Sequence, residues 1–250
     1  MDVGVLHPGA MGAALGAALV GNGHEVFWAS TGRSAATRAR ADADGLTDAV
    51  TLDALASRSE VIISICPPEH AATVAGEVRA AGFEGVLVDA NAIAPATARA
   101  IAPDVDGGVI GGPPRVRGTT RLYLSGPGAA TVAELFTGSA LDARVLDDEI
   151  GTASALKMTY AAYTKGLSAL LIALRETASA NGVDQHLLAE WAISQPDLAA
   201  ISDLAAANAG PKAWRWIAEM EEIAATFAAA GQPEGFHRAA AEVYRQVSAR

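Results

Sequence analysis

Residues 3–30 read VGVLHPGAMGAALGAALVGNGHEVFWAS, and this stretch decides the fold. A short apolar run (Val3, Val5, Leu6) breaks at His7-Pro8-Gly9-Ala10-Met11-Gly12 and continues as an Ala/Leu/Gly-rich helical run. That run stops at Gly21-Asn22-Gly23, before a second apolar run, Val26-Phe27-Trp28. Strand, tight turn, helix and parallel strand in succession form the unit whose helix start cradles a pyrophosphate. Backbone N–H groups there point at the anion, and the helix dipole adds a positive end. Gly9 lets the backbone approach the phosphates, and Gly12 lets the helix pack close to the strand. His7 stands where the first glycine of a G-x-G-x-x-G fingerprint is expected, and Pro8 lacks an N–H. Histidine tolerates a left-handed backbone better than most residues, and its ring N–H could reach a phosphate. The plainer alternative is a glycine-rich turn in some other α/β protein.

Working outward, bulk composition narrows the class. The chain has 250 residues, 51% hydrophobic and 18% charged, enough for one large or two modest cored domains. A net charge of −10 argues against a nucleic-acid or anionic-membrane partner, either of which needs a basic face. The single cysteine, Cys66, excludes a disulfide framework and suits a reducing cytoplasm. It ends the apolar run VIISIC and reads as a small buried hydrophobe rather than a nucleophile. With no export signal and no membrane span expected, the protein is read as cytoplasmic.

After Trp28, an Asp or Glu for a ribose 2′-hydroxyl is missing. Ser30, Thr31, Arg33 and Ser34 offer hydroxyls and a guanidinium instead, which suits a 2′-phosphate and favours NADP over NAD. The alternative for Arg33 is a solvated helix start. A short helix is expected over Asp53–Glu60, a strand over Val61–Cys66, a helix from Glu69 to Ala81 and a strand over Gly85–Asp89. Ligands in open α/β sheets lie beyond the carboxyl ends of the strands. Pro67, Pro68, Asn91 and Pro95 are therefore expected where nicotinamide and substrate meet, with Cys66 counted among the cofactor contacts. Asn91 either contacts a polar ligand or is an ordinary turn residue or helix cap. A further strand starts at Val105 and opens into Ile110-Gly111-Gly112-Pro113-Pro114, flanked by Arg115, Arg117 and Arg121, any of which could clamp a carboxylate or simply be solvated. A helix from Ala129 to about Ser139 and a strand from Ala143 to Leu146 complete the first domain, residues 1–150.

From Gly151 the composition changes. Thr152–Ala180 reads as one helix of roughly 28 residues, about 40 Å long. Its sparse charges (Lys157, Lys165, Arg175, Glu176) imply a helix covered nearly all round, by two domains or by a partner subunit. Lys157, Tyr160, Ala161, Thr164 and Ser168 share one face by spacing. Residues 151–250 are read as an all-α domain, broken at Pro196, Gly210-Pro211 and Gly231-Gln-Pro233, with Trp191, Trp214 and Trp216 in its core.

In this order the motifs resemble those of the β-hydroxyacid dehydrogenase superfamily, which includes 3-hydroxyisobutyrate and 6-phosphogluconate dehydrogenases and, more distantly, imine reductases. The likeness covers nearly the whole chain. It is strongest to a bacterial subgroup with a phosphogluconate-dehydrogenase-like helical C-terminal domain, through SALKMTYAAYTKG and KAWRWIAEMEEIAATFAAAG. The resemblance places the cofactor motif on His7, Gly9, Met11 and Gly12, with Pro8 and Ala10 between them. It places the substrate motif on Asp89 to Pro95, with Asn91 and Ala92 in hydroxyl positions. The catalytic-loop motif falls on Asp106 to Gly112, with Ile110 for serine, and the catalytic-helix motif on Gly151 to Ala161. There Lys157 is the lysine, and Tyr160 and Ala161 replace asparagines.

The resemblance implies a Rossmann-type, mainly parallel α/β domain joined by a long helix to an all-α domain. It also implies NADP-dependent hydride transfer on a small polar hydroxy or carbonyl substrate. Lys157 is the expected general acid/base, with Tyr160 orienting substrate or sharing the proton; the alternatives are a snorkelling surface lysine and a core-packing tyrosine. Substrate contacts are expected from Asn91, Ile110, Gly111, Gly112, Lys157, Tyr160 and Thr164, with no metal. An NADPH-dependent imine reductase or reductive aminase is the second reading, and a non-catalytic NADP-binding protein the third. A homodimer is expected. Glu221 and Glu222 fall near where relatives carry a substrate-reaching lysine and receive no role.

Overall fold

The computed structural model describes residues 1–249. The chain divides into two compact units, the first Met1–Lys157 and the second beginning at Met158. The division thus falls inside the long helix, whereas the change in composition lies at Gly151.

In the first unit β1 (Asp2–Leu6), β2 (Glu25–Trp28), β3 (Thr47–Asp48), β4 (Val61–Ser64), β5 (Val86–Asp89), β6 (Val105–Ile110), β7 (Thr120–Ser125) and β8 (Leu141–Val145) form one sheet. Its order is β3-β2-β1-β4-β5-β6-β7-β8. All pairs are parallel except β6 with β7. Helices α1 (Ala10–Gly21), α2 (Ala35–Ala43), α3 (Leu52–Arg58), α4 (Ala71–Ala80), α5 (Pro95–Ile101) and α6 (Ala129–Glu134) connect the strands. Strand residues alternate between two buried faces. Val3, Val5, Val61, Ile63 and Val88 pack on one side, and Leu6, Phe27, Ile62 and Leu87 on the other. That is why β1, β4 and β5 read as continuous apolar runs.

Several boundaries differ from the sequence expectations. β4 stops at Ser64, because Cys66 and Pro67 turn away into a 3₁₀ turn at Pro68–His70 ahead of α4. The helix expected to reach Ser139 ends at Glu134, in a turn closed by Gly138 at φ 84°. α5, which the sequence reading did not foresee, starts with Pro95 in its first turn, where a missing N–H costs nothing.

The long helix α7 spans Thr152–Ala180. In the second unit it is followed by α8 (Asp184–Ser194), α9 (Leu198–Ala209), α10 (Ala213–Ala229) and α11 (Gly235–Ser248). Each expected break lies between helices. Lys165 pairs with Glu219 at 2.8 Å, and the hydroxyl of fully buried Tyr244 donates to the Lys165 carbonyl at 2.6 Å. One expectation fails here. Trp191 is buried, but Trp214 is 52% exposed, while Trp216 meets Tyr244 edge-on at 5.2 Å. Within the single chain Tyr160, Tyr163, Leu170 and Leu174 of the long helix are exposed, Tyr163 to 69%. No helix among the described residues is long and apolar enough to cross a membrane.

Candidate functional site

Two connections leave β1 and β4 in opposite directions along the sheet, so their carboxyl ends border the crevice where α/β sheets bind ligands. The turn after β1 occupies that crevice. His7 adopts φ 59°, the left-handed conformation usually left to glycine, and the Gly9 N–H closes back on the His7 carbonyl at 2.6 Å. α1 then starts with no side-chain cap and no acid in its first turn. A Cβ on Gly12 would come within 2.9 Å of Ile65 Cγ2 and 3.0 Å of the His7 carbonyl, so only glycine lets the helix approach β4 this closely. A Cβ on Gly9 would meet nothing nearer than 3.9 Å, leaving open space above the helix start. These features fit a dinucleotide pyrophosphate: uncapped amides, a positive helix end and room to approach them.

The polar run after β2 divides its work. Ser30 is buried and its hydroxyl bonds the Asp48 carboxylate. The Thr31 hydroxyl donates to the Val50 carbonyl at 2.7 Å, and Ser34 caps α2 by accepting from the Thr37 N–H. The expectation that Ser30 and Thr31 hydroxyls face a 2′-phosphate is therefore corrected, because both are used within the protein. Arg33 turns back instead, its Nη2 donating to His7 Nε2 at 2.5 Å. His7, Thr31, Arg33, Thr51, Leu52 and Glu77 border a cavity of about 180 Å³. Just before Thr51, Val50 holds φ 70°, a strained conformation for a β-branched residue.

Strand register brings Ser64, Asp89, Asp106 and Ser125 into one row across β4, β5, β6 and β7. Within it Asn91 is 2% exposed, and both of its amide hydrogens are used, on Asp89 Oδ2 at 2.9 Å and Ser64 Oγ at 3.1 Å. Its Oδ1 accepts from the Cys66 N–H at 2.6 Å. Asn91 therefore has no spare donor for cofactor or substrate, and it brackets the Cys66-Pro67-Pro68 turn against the end of β5. Burial, and secondarily the nearby Asp106 carboxylate, push the Asp89 carboxyl up to about 6. Burial likewise pushes the Cys66 thiol up to about 12, which keeps it protonated and un-nucleophilic.

Asp106 is fully buried and gathers four donors. They are the backbone N–H groups of Gly151 (3.0 Å) and Ser154 (2.9 Å), the Ser154 hydroxyl (2.6 Å) and the Ser125 hydroxyl (3.3 Å). Ser125 Oγ in turn accepts from the Ala153 N–H at 3.1 Å. A carboxylate from the sheet thus caps the start of α7, where a negative charge is favoured. The anchored helix lies directly on Gly108, where a Cβ would come within 2.8 Å of the Ala153 carbonyl and 2.9 Å of Lys157 Cβ. Half-buried Lys157 is thereby held beside β6.

Sequence reading missed Asp106, Ser125 and Ser154 as the group that sets the lysine. No local pattern marks three small polar residues brought together from separate stretches. Ile110 is buried, and Gly111 at φ 121° has no room for a Cβ beside the Thr119 carbonyl, so this pair shapes the turn. Gly112 is open, and its carbonyl accepts from Thr120. None of the three flanking arginines is left as a free clamp. Arg115 forks onto Asp44, Arg117 donates to the Gly138 carbonyl and Arg121 to that of Gly118. Tyr160 and Thr164 belong to the second unit, Thr164 donating to the Ala161 carbonyl at 3.5 Å. Glu221 pairs with Arg238 and Arg245.

Comparisons with known proteins agree with this geometry. A family model described as NADP oxidoreductase coenzyme F420-dependent matches residues 2–92, and a domain of unknown function, DUF1932, matches residues 178–247. No curated protein sequence matches significantly. Among solved structures, the conserved protein MTH1747 is described as of unknown function and structurally similar to 3-hydroxyacid dehydrogenases. It is 28% identical over 100% of this chain and 97% of its own, with a TM-score of 0.70. A 3-hydroxyisobutyrate dehydrogenase from Salmonella typhimurium is 16% identical over 98% and 93%, with a TM-score of 0.70. A reductive aminase from Aspergillus terreus in complex with NADPH and ethyl levulinate is 18% identical over 98% and 92%, with a TM-score of 0.59. In domain order and fold this chain is similar to the β-hydroxyacid dehydrogenase-like superfamily.

Proposed function

We propose that this protein is an NADP-dependent oxidoreductase acting on a small polar hydroxy or carbonyl substrate, with Lys157 as general acid/base. The observation that carries the reading is the Asp106 cap, which fixes the start of α7 and with it Lys157 against Gly108. The His7–Gly12 turn and the start of α1 would hold the pyrophosphate, and Arg33 the 2′-phosphate. NADP, when bound there, supplies or accepts the hydride. Lys157 takes the hydroxyl proton in the oxidative direction and returns a proton to the carbonyl oxygen in the reductive one. Asp106 keeps the amine in place through both directions. Tyr160, one turn further along α7, orients the substrate or shares the proton.

The likeness to a reductive aminase supports a second reading, in which the same lysine serves CH–NH chemistry. Hydroxyacids and cyclic imines assayed in parallel with NADPH and NADH separate the two. Lys157→Met is expected to lower turnover by about 10²–10⁴-fold while NADPH binding persists, and retained turnover would remove the acid/base role.

The reading extends to a homodimer. Tyr163, Leu167, Leu170 and Leu174 recur along one face of α7, and Phe236 is 80% exposed on α11. An apolar stripe of this kind calls for a covering surface, for which we propose a second copy. Light scattering at micromolar concentration should give twice the chain mass.

A further inference from the structure

We infer that His7 is a specificity-determining residue for the cofactor: it holds the Arg33 guanidinium at the mouth of the nucleoside cavity and so tunes the chain for a 2′-phosphate. The inference rests on the proposed NADP site and adds a role for the residue that departs from the glycine fingerprint.

The geometry supports it at three points. First, His7 holds a left-handed backbone that histidine tolerates better than most residues but that glycine would adopt without cost. Some return is needed for keeping an imidazole in this place. Second, the ring accepts from Arg33 Nη2 at Nε2, so the proton of the neutral ring sits on Nδ1. Nδ1 is buried and finds no acceptor in the protein, so the ring serves the arginine rather than the fold. Third, Arg33 follows Gly32 on an exposed turn, with Ser30, Thr31 and Ser34 committed elsewhere. A guanidinium on such a turn loses rotamer entropy when it clamps an anion. One N–H given to His7 leaves four donors of the fork for a phosphate and removes part of that loss beforehand. Burial, and then the Arg33 charge, hold the His7 ring well below its ordinary value, at about 4. The ring is therefore a neutral acceptor at physiological pH, as a guanidinium partner requires.

Binding of NADPH and NADH to the full-length protein, followed by nucleotide fluorescence and calorimetry, tests the inference without any substrate. His7→Gly should weaken NADPH by about tenfold relative to NADH, and so erode the preference whatever it does to the pyrophosphate turn that both nucleotides share. Arg33→Ala should remove the preference. The double variant should lose no more than Arg33→Ala alone, since the histidine acts through the arginine. His7→Asn, which tolerates the same left-handed backbone but lacks the ring, should erode the preference as His7→Gly does, which checks that the lost ring and not a disturbed turn is responsible; a retained preference overturns the inference. A His7→Gly protein with an unchanged NADPH:NADH ratio overturns the inference while the cofactor site stands, and so does full additivity in the double variant. Failure of the unaltered protein to bind either nucleotide overturns both.

Discussion

Lys157 sits so close to Gly108 that a Cβ built on the glycine would come within 2.9 Å of the lysine's own Cβ and 2.8 Å of the Ala153 carbonyl. The neighbour that would have to yield includes helix backbone, which cannot swing aside as a side chain can. Gly108→Ala should therefore push the first turns of α7 off β6. The expected cost is about 1–3 kcal/mol of stability, read by urea denaturation, with turnover reduced and NADPH affinity intact. A fully active, equally stable Gly108→Ala protein would show that this contact does not set the lysine.

Asp106 fixes the same helix from its end. Asp106→Ala leaves buried donors on Gly151, Ser154 and Ser125 without their acceptor, and should cost about 3–5 kcal/mol. Asp106→Asn keeps one acceptor and the shape but loses the charge at the helix start, so its loss should be about half as large. Equal losses would mean that the charge contributes nothing.

The fold was legible largely because its signals are local. Val3–Trp28 carries strand, turn and helix within one βαβ unit, and Thr152–Ala180 contains no proline and a single glycine, so the helix ends fall where the residues change. What escaped the sequence reading depends on register. Ser64, Asp89, Asp106 and Ser125 meet only because four strands align them, and that alignment turns Asn91 from an expected ligand contact into an internal bracket. Thr31 looked available for a 2′-phosphate, but the strained Val50 carbonyl takes its hydroxyl. Lys157 was legible as a motif residue, while its support from Asp106 was not.

Val50 offers a stability test away from the chemistry. At φ 70° and 56% exposed, the valine suffers backbone strain with little burial to offset it. Val50→Asn should raise stability by about 1 kcal/mol, since asparagine tolerates the left-handed region. Thermal denaturation that shows a loss instead would place the strain elsewhere.

Two buried titrations oppose each other in mild acid. His7, depressed from 6.5 to about 4, contributes stability that is present above 6.5 and lost as pH falls toward 4. Asp89, raised from 3.8 to about 6, contributes stability that is full below 3.8 and lost as pH rises through 6. Between pH 4 and 6 the two slopes cancel in part. In His7→Asn only the Asp89 slope remains, so its stability should fall more steeply from pH 4 to 6 than that of the unaltered protein. Urea midpoints across that range measure this, and parallel profiles for the two proteins would contradict it.

The most direct measurement is a crystal structure with NADPH bound. The expected map has the pyrophosphate on the amides of residues 10–12, the 2′-phosphate on Arg33, and the nicotinamide ring facing the Lys157 amine with room for one small polar group between them. A map with the pyrophosphate seated away from that turn, or with the Lys157 amine out of reach of the ring, would contradict the assignment of a lysine proton donor to an NADP-binding glycine turn.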